Sequence, residues 1–274
     1  MIYLREFAPS DKKVDHPNLY PYNTLSGKFI EPLEFSEVTV LYGNNGCGKS
    51  SLLNIIALKL GIKGVEEYKY GQVFIDRFAE ESSFSMAYND SGYTLKVPKN
   101  SRYIKSEDML YEIKKIQQEK ALHTGYIYEA ERSGADIETL RDVLFDDESM
   151  DSLTFKGKLL FDKLQFRQEK YSNGETSLQL FKDFLQPDAL YLLDEPEVSL
   201  SLQNQVALAD MINRMTRFFN CQFIIATHSP LILSKFNGII YDFDHTIVKR
   251  ANWFELGNVR YMYDFFMKHK DKFE

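Results

Sequence analysis

The sequence predicts an α/β fold with a mostly parallel central sheet, and three observations support it. An apolar run at residues 38–42 leads through a glycine-rich loop into a helical pattern at residues 51–60. A second apolar run, residues 189–193, ends in two carboxylates, and strands alternate with helices through the rest of the back half. Strands that alternate with helices form parallel sheets covered on both faces.

Composition places the chain among ordinary globular proteins. It has 274 residues, of which 44% are hydrophobic and 27% are charged, enough for one core and an inserted lobe. Its two cysteines, Cys47 and Cys221, are too few and too far apart for a disulfide framework or a zinc site, which favours the cytoplasm. No run approaches the roughly 20 apolar residues of a membrane helix, so no membrane insertion is expected.

Net charge bears on possible partners. The chain carries a formal charge of −7, which provides no general attraction for a polyanion. Nucleic acid therefore stays a possible partner that the net charge does not support. Any such binding would depend on a local basic patch.

The order of patterns indicates one domain, residues 1–274, with an insertion. Short apolar runs between turn-forming residues over residues 2–35 predict an N-terminal antiparallel flank. About residues 100–170 are charged, helix-prone and broken by glycines, which indicates an inserted, mainly helical lobe. The further predicted elements are helices at residues 175–187 and 202–219, a strand at residues 223–226 and a helix that begins at Pro230.

The glycine-rich loop fits the P-loop pattern G-x-x-x-x-G-K-[ST] and has the strand and helix flanks that phosphate binding requires. Its amide hydrogens and the positive end of the following helix would meet the phosphate charge. Lys49 would reach the β and γ oxygens, and the Ser50 hydroxyl would bind Mg²⁺. A chance glycine-rich turn is the alternative, which the flanks disfavour. The predicted ATP-binding residues of this loop are Gly43, Asn44, Asn45, Gly46, Cys47, Gly48, Lys49, Ser50 and Ser51.

Two adjacent carboxylates, Asp194 and Glu195, end the apolar run at residues 189–193. In P-loop enzymes such a strand lies beside the loop and delivers an acid to the metal, so Asp194 is predicted to hold Mg²⁺ with Ser50. Glu195 is predicted to be the general base that deprotonates the attacking water. The alternative is two solvated, idle acids before Pro196, which the upstream P-loop disfavours.

His228 follows the next predicted strand, residues 223–226. A lone histidine is usually structural. About 33 residues separate it from Asp194, however, which leaves room for one helical crossover and would place both at one edge of the sheet. Lys49 and Glu195 are predicted catalytic residues, and this spacing allows His228 to join Glu195 at the same edge as a third candidate.

Residues 171–175 (YSNGE) open the helix before the acidic strand. A serine and a glycine at a helix start form an N-cap, and alone they indicate nothing more.

The order of these motifs resembles the soluble branch of the ABC ATPase superfamily. Residues 192–197 (LLDEPE) and 224–230 (IIATHSP) are similar to chromosome-maintenance, recombination-repair and overcoming-lysogenization-defect ATPases, and especially to small stand-alone bacterial AAA-family ATPases. The resemblance implies an ABC-type ATPase head that binds ATP and Mg²⁺ and dimerises head to tail. It also implies that Ser172, Gly174 and Glu175 cap the γ-phosphate bound to the other subunit's P-loop, and that His228 senses that phosphate.

The sequence departs from the family pattern at two places. The signature at residues 172–175 lacks the double glycine and the following glutamine of transporters. No clear Q-loop residue is present, and Gln72 and Glu107 are alternatives. Residues 102–107 are a candidate lobe element, and the 198–201 loop is expected to touch the partner site.

The resemblance leads to three functional hypotheses. The first is an ATP-hydrolysing engine whose dimer opens and closes and passes that state to a partner protein or nucleic acid. The alternative is the nucleotide-binding subunit of a membrane transporter, which the atypical signature disfavours. The third is a slow regulatory ATPase in a bacterial, antiviral defence or toxin system.

Aromatic residues leave two further questions. Tyr20 and Tyr22 are candidates for the aromatic side chain that stacks on adenine, and core or loop packing is the alternative for both. The stretch at residues 252–273 is rich in aromatic side chains and is expected either to pack as a final helix or to dock a partner.

Overall fold

The computed structural model describes residues 1–12, 14, 18–25, 27–65, 71–106, 108–109, 173–198 and 200–274. Two sheets organise this part of the chain. The strands are β1 (Leu4–Ala8), β2 (Leu33–Glu34), β3 (Val38–Tyr42), β4 (Ser83–Met86), β5 (Arg102–Lys105), β6 (Leu190–Asp194), β7 (Gln222–Thr227), β8 (Ile239–Asp242) and β9 (Lys249–Arg250). The helices are α1 (Tyr22–Leu25), α2 (Lys49–Leu60), α3 (Gln72–Glu81), α4 (Asn173–Phe184), α5 (Leu202–Phe218), α6 (Pro230–Leu233) and α7 (Gly257–Lys268).

The larger sheet has six strands in the order β5-β6-β7-β3-β8-β9. All neighbours are parallel except β8 and β9. Every residue of β3, β6 and β7 is buried, because helices cover a parallel sheet on both faces and leave no solvated side. The predicted α/β fold with a mostly parallel central sheet is confirmed.

The smaller sheet is antiparallel, with the order β2-β1-β4. It is the predicted N-terminal flank, completed by a strand from beyond the P-loop helix. The fully buried Gln222 of β7 joins the flank to the larger sheet: its side-chain oxygen accepts the amides of Tyr3 and Leu4, and its nitrogen donates to the carbonyls of Leu4 and Ser36. A buried polar side chain of this kind is stable because its donors and acceptor are satisfied.

The chain forms two compact units, one of residues 1–106 with 181–274 and one of residues 107–180. Most of the predicted lobe at residues 100–170 lies outside the described residues. Within its described part, Arg102–Lys105 is strand β5 of the larger sheet, paired with β6. In the described part of the chain, no helix is both long and apolar enough to cross a membrane.

The predicted final helix exists as α7, but it buries little of itself. Val259 is its one buried residue. The aromatic side chains that the sequence singled out between residues 252 and 273 are at the surface of the chain.

Candidate active site

Residues 43–48 form the loop between β3 and α2. Gly46 and Gly48 have φ values of +80° and +100°, a left-handed conformation that glycine adopts without strain. A Cβ on Gly48 would also lie 2.9 Å from Leu25 Cδ2 of α1, so a side chain there would have to displace the end of Leu25. Within the described residues, no side chain caps the N-terminus of α2, which leaves its first amides available to an anion.

Lys49 lies folded over this loop and is 3% exposed. Its Nζ donates to the carbonyls of Gly43 at 2.7 Å and Asn44 at 3.0 Å, and it lies 3.7 Å from Cys47 Sγ. From outside, Asp244 Oδ1 accepts the amide of Asn44 at 2.6 Å. The loop is therefore held in position by side chains from two directions.

The acidic strand meets the P-loop through a direct hydrogen bond. Ser50 Oγ donates to Asp194 Oδ1 at 3.0 Å, and the Tyr103 hydroxyl of β5 donates to Asp194 Oδ2 at 3.2 Å. Burial raises the pKa of the Asp194 carboxyl, and the charge of Glu195 raises it further, while the hydrogen bonds from Ser50 and Tyr103 act in the opposite direction. The charge of Lys49 also lowers this pKa, and a cation beside the buried carboxylate would offset the remaining cost of its burial.

Glu195 has an unusual backbone conformation. Its φ is +47°, in the left-handed region that costs a residue with a side chain roughly 1 kcal/mol or more. Its amide compensates by donating to the carbonyl of Ala226 in β7 at 2.8 Å. The side chain leaves the strand in a different direction from Asp194, and its Oε1 lies 3.7 Å from His228 Nδ1.

A second glutamate, Glu197, ties the exits of β6 and β7 together. It is 6% exposed, and its Oε1 accepts the Thr227 hydroxyl at 2.6 Å and the His228 amide at 3.0 Å. The same oxygen lies 3.5 Å from His228 Nδ1. Among the described residues, neither Glu197 Oε2 nor His228 Nδ1 has a hydrogen-bond partner. The His228 ring thus lies with its Nδ1 towards two carboxylates, and its side chain is 41% exposed.

The structure brings together Lys49, Ser50, Asp194, Glu195 and His228 at the carboxyl edge of β3, β6 and β7, because these strands are adjacent. Asn45 is exposed in the loop, and Ser51 is buried in the first turn of α2.

Only some of the other candidate residues are among those that the structure describes. Ser172 and Glu107 lie outside the described residues, whereas Gly174 and Glu175 are in the first turn of α4. Gln72 is the first residue of α3. Of the 198–201 loop, Val198 is exposed and Ser201 caps α5 by accepting the amide of Asn204.

Tyr22 is a core residue rather than a surface for adenine. It is 2% exposed, donates to Glu81 and packs edge to face on Phe78. Its ring face is therefore occupied.

Sequence reasoning missed three roles at this site. Glu197 belongs to the 192–197 motif, and a third carboxylate two residues after the acidic pair is a signal that could have indicated its role. Tyr103 was assigned to a lobe element, and only the pairing of β5 with β6 places it against Asp194. Asp244 had no signal, since its contact with the P-loop spans 200 residues.

A family model described as "AAA domain, putative AbiEii toxin, Type IV TA system" matches residues 74–234, more than half of the 274 residues. The chain belongs to this family. The match covers the acidic strand and His228 and begins after the P-loop. This match confirms the expected resemblance to bacterial AAA-family ATPases, and AAA-domain membership supports ATPase activity at this general level.

Several solved structures are similar to this AAA-domain chain over most of its length. It is similar to an SMC head domain from Thermotoga maritima, with 13% identity, 91% of this chain and 98% of that chain covered, and a TM-score of 0.40. It is also similar to an Smc head bound to the C-winged helix domain of ScpA, with 15% identity, 91% of this chain and 97% of that chain covered, and a TM-score of 0.46. A nucleotide-free ATP-binding cassette from an ABC transporter is similar with 14% identity, 92% of each chain covered, and a TM-score of 0.44. No curated protein matches the chain.

Proposed function

We propose that this chain binds and hydrolyses ATP with Mg²⁺ in a site completed by a second copy, and that it passes the open or closed state of the dimer to a partner. The carrying observation is the 3.0 Å hydrogen bond from Ser50 to Asp194. It places the P-loop against a buried acid, with Glu195 and His228 on the adjacent strand exits.

Phosphate binding is supported by the uncapped N-terminus of α2 and by Lys49. The Lys49 ammonium donates to two loop carbonyls and so lies directly over the loop. It needs only to turn from these carbonyls to meet phosphate oxygens, and the glycine conformations keep the loop amides close to the same place.

The donor set fits Mg²⁺. Ser50 and Asp194 present a hydroxyl and a carboxylate 3.0 Å apart, and hard oxygen donors are what this ion prefers. When bound, the ion would neutralise charge on the β- and γ-phosphates. Ser50 and Asp194 would hold it, and Tyr103 would orient the Asp194 carboxylate from the far side.

Glu195 is the proposed general base. Its left-handed backbone turns the carboxylate away from Asp194, so that one acid serves the metal and the other can accept a proton from the attacking water. His228 would sense the γ-phosphate, with its Nδ1 side held near Glu195 and Glu197. Lys49 would stabilise charge on the transferred phosphoryl group.

The family resemblance supplies the second half of the site. Ser172, Gly174 and Glu175 of one copy would cap the γ-phosphate on the other copy's P-loop, and a helix start is suited to an anion. The proposed single domain of residues 1–274, with its lobe at about residues 100–170, would carry the motion to the partner.

The biological setting is proposed from the family. Its description names a type IV toxin–antitoxin system, which favours the hypothesis of a regulatory ATPase in a bacterial defence or toxin system of the cytoplasm. The transporter alternative is not favoured, because the matching family is not described as one of transport subunits.

The test is a trapped dimer. Glu195→Gln should bind ATP, hydrolyse it on the order of 100-fold more slowly and form an ATP-dependent contact between heads, because only the proton acceptor is lost. Nucleotide binding is measured by calorimetry, turnover by phosphate release, and the state of the heads by light scattering and by cross-linking of the P-loop face.

Lys49→Ala is the matched control and should lose nucleotide binding itself. If Glu195→Gln releases phosphate at the wild-type rate, the base assignment is wrong. If neither the wild type nor Glu195→Gln binds ATP with Mg²⁺, the proposed function fails as a whole.

A further inference from the structure

The surface around α7 is the largest concentration of exposed apolar side chains in the described part of the chain. We define it as the aromatic patch, whose members are Trp253, Phe254, Tyr261, Met262, Tyr263, Phe265, Phe266, Met267 and Phe273. Tyr261 is 75% exposed and Phe273 72%. Taking ~200 Å² for each large side chain, the nine members together expose about 970 Å², spread over more than one face of α7. Apolar patches larger than a few hundred Å² mark interaction sites.

The polar and apolar side chains of α7 are not distributed as in an ordinary surface helix, which has a broad polar face. Arg260, Asp264 and Lys268 are spaced four residues apart and therefore form one narrow stripe. The other faces are almost entirely apolar. A helix that is apolar round most of its circumference is normally buried, whereas most of the apolar side chains of α7 are uncovered within the part of the chain that the structure describes.

The patch is rigidly attached to the head rather than loose. Leu256 and Val259 are buried, and the Asn258 amide donates to the hydroxyl of Tyr42 at 3.0 Å. Tyr42 is the last residue of β3, directly before Gly43 of the P-loop. The orientation of α7 is therefore fixed before any partner arrives, which reduces the ordering cost of association.

We infer that the aromatic patch is a nucleotide-independent interface with a second copy of this chain, formed by antiparallel pairing of two α7 helices. Area supports this occupant. Tyr261, Met262, Phe265 and Phe266 lie within one arc of α7, and Phe273 packs on Phe266. This face exposes about 600 Å², so two copies would bury up to about 1,200 Å² in total, at the lower end of the range of specific protein interfaces. A two-fold contact buries the same patch on both copies, so no other surface is required.

Charge also permits self-pairing. Arg260 and Asp264 form an ion pair at 3.9 Å within the helix, so the charged stripe is neutral at its centre. Lys268, Lys270 and Lys272 lie at one end, and antiparallel pairing places the two lysine-rich ends far apart. Two identical surfaces therefore meet without like-charge repulsion.

Such a contact would change the ATP-driven step. Two heads already joined at α7 would meet at the P-loop face as an intramolecular event, at the effective concentration of a short connection. The interface itself does not depend on the proposed function, since it requires no nucleotide.

The test uses the full chain without nucleotide, in the Lys49→Ala background as well as in wild type. Light scattering at about 10 μM should give twice the 32.0 kDa monomer mass for both proteins. Tyr261→Glu with Phe265→Glu places like charges in the contact and should weaken the dimer by on the order of 100-fold, giving monomer.

The matched control is Tyr88→Glu with Tyr93→Glu, which alters two equally exposed aromatic residues outside the patch and should leave the dimer intact. Circular dichroism checks that each variant folds. A monomeric wild type without nucleotide overturns the inference, and so does a dimer that survives the double substitution at α7.

A photo-cross-linking residue at position 265 tests the contact even if the charged variant misfolds. Mass spectrometry should locate the cross-link at residues 252–273 of the other copy. Cross-links to another region of the second copy, or to a different protein only, overturn the inference.

Discussion

Replacing Glu197 by alanine removes the acceptor that joins the exits of β6 and β7. The Thr227 hydroxyl, fully buried, and the His228 amide would each lose their bond to Oε1. A buried donor left unsatisfied costs about 1–3 kcal/mol. The variant also removes the cost of burying Glu197 Oε2, which has no hydrogen-bond partner among the described residues. This gain offsets part of the loss. The expected net loss in unfolding free energy is about 3 kcal/mol.

Glu197→Gln provides the comparison, because it keeps an oxygen acceptor of the same reach. The variant loses the charge of the acceptor but also the cost of burying it, so we expect its unfolding free energy to stay within about 1 kcal/mol of wild type.

Urea unfolding followed by circular dichroism measures both variants. With a slope of roughly 3 kcal/mol/M for a chain of this size, Glu197→Ala should lower the midpoint by about 1 M and Glu197→Gln by a third of that or less. Equal midpoints for the two variants would refute the assignment of the Oε1 bonds as the stabilising feature.

Two further predictions concern buried polar groups. Gln222→Leu removes four hydrogen bonds to the backbone of Tyr3, Leu4 and Ser36 and should lower the unfolding free energy by about 3–6 kcal/mol in urea unfolding. Exposed Gln203→Leu should change it by less than about 0.5 kcal/mol. Because the folded pKa of Asp194 is raised, its ionised form opposes folding above that pKa. Asp194→Asn should therefore raise Tm at neutral pH without nucleotide, and the difference from wild type should vanish as pH falls below the ordinary aspartate pKa; a lower Tm at pH 7 contradicts this reasoning.

Local patterns predicted the parts of the fold whose structure depends on neighbours in sequence. The apolar run at residues 38–42 is strand β3 without any change of bounds, and the helix predicted at residues 202–219 is α5, which ends one residue earlier. Alternation of strands and helices was sufficient for a parallel sheet, since a parallel connection needs a crossover. The helix predicted from Pro230 is only four residues long, because nothing local determines where it stops.

The candidate site was predictable to the same extent. A P-loop, an acid pair and a histidine each follow a strand, and parallel strands end at one edge of a sheet. That edge does hold Ser50, Asp194 and His228 together, whereas the signature at Ser172 stays a prediction from resemblance.

The sequence by itself determined the α/β class, the P-loop and the acidic strand, because periodicity and short motifs report bonds made within one element or one turn. Only the tertiary structure decided that Tyr103 contacts Asp194, that Gln222 binds the N-terminal flank and that the aromatic side chains of α7 are exposed. Those facts depend on strand order and register, which bring together residues as many as 219 positions apart. No local pattern encodes which strands become neighbours.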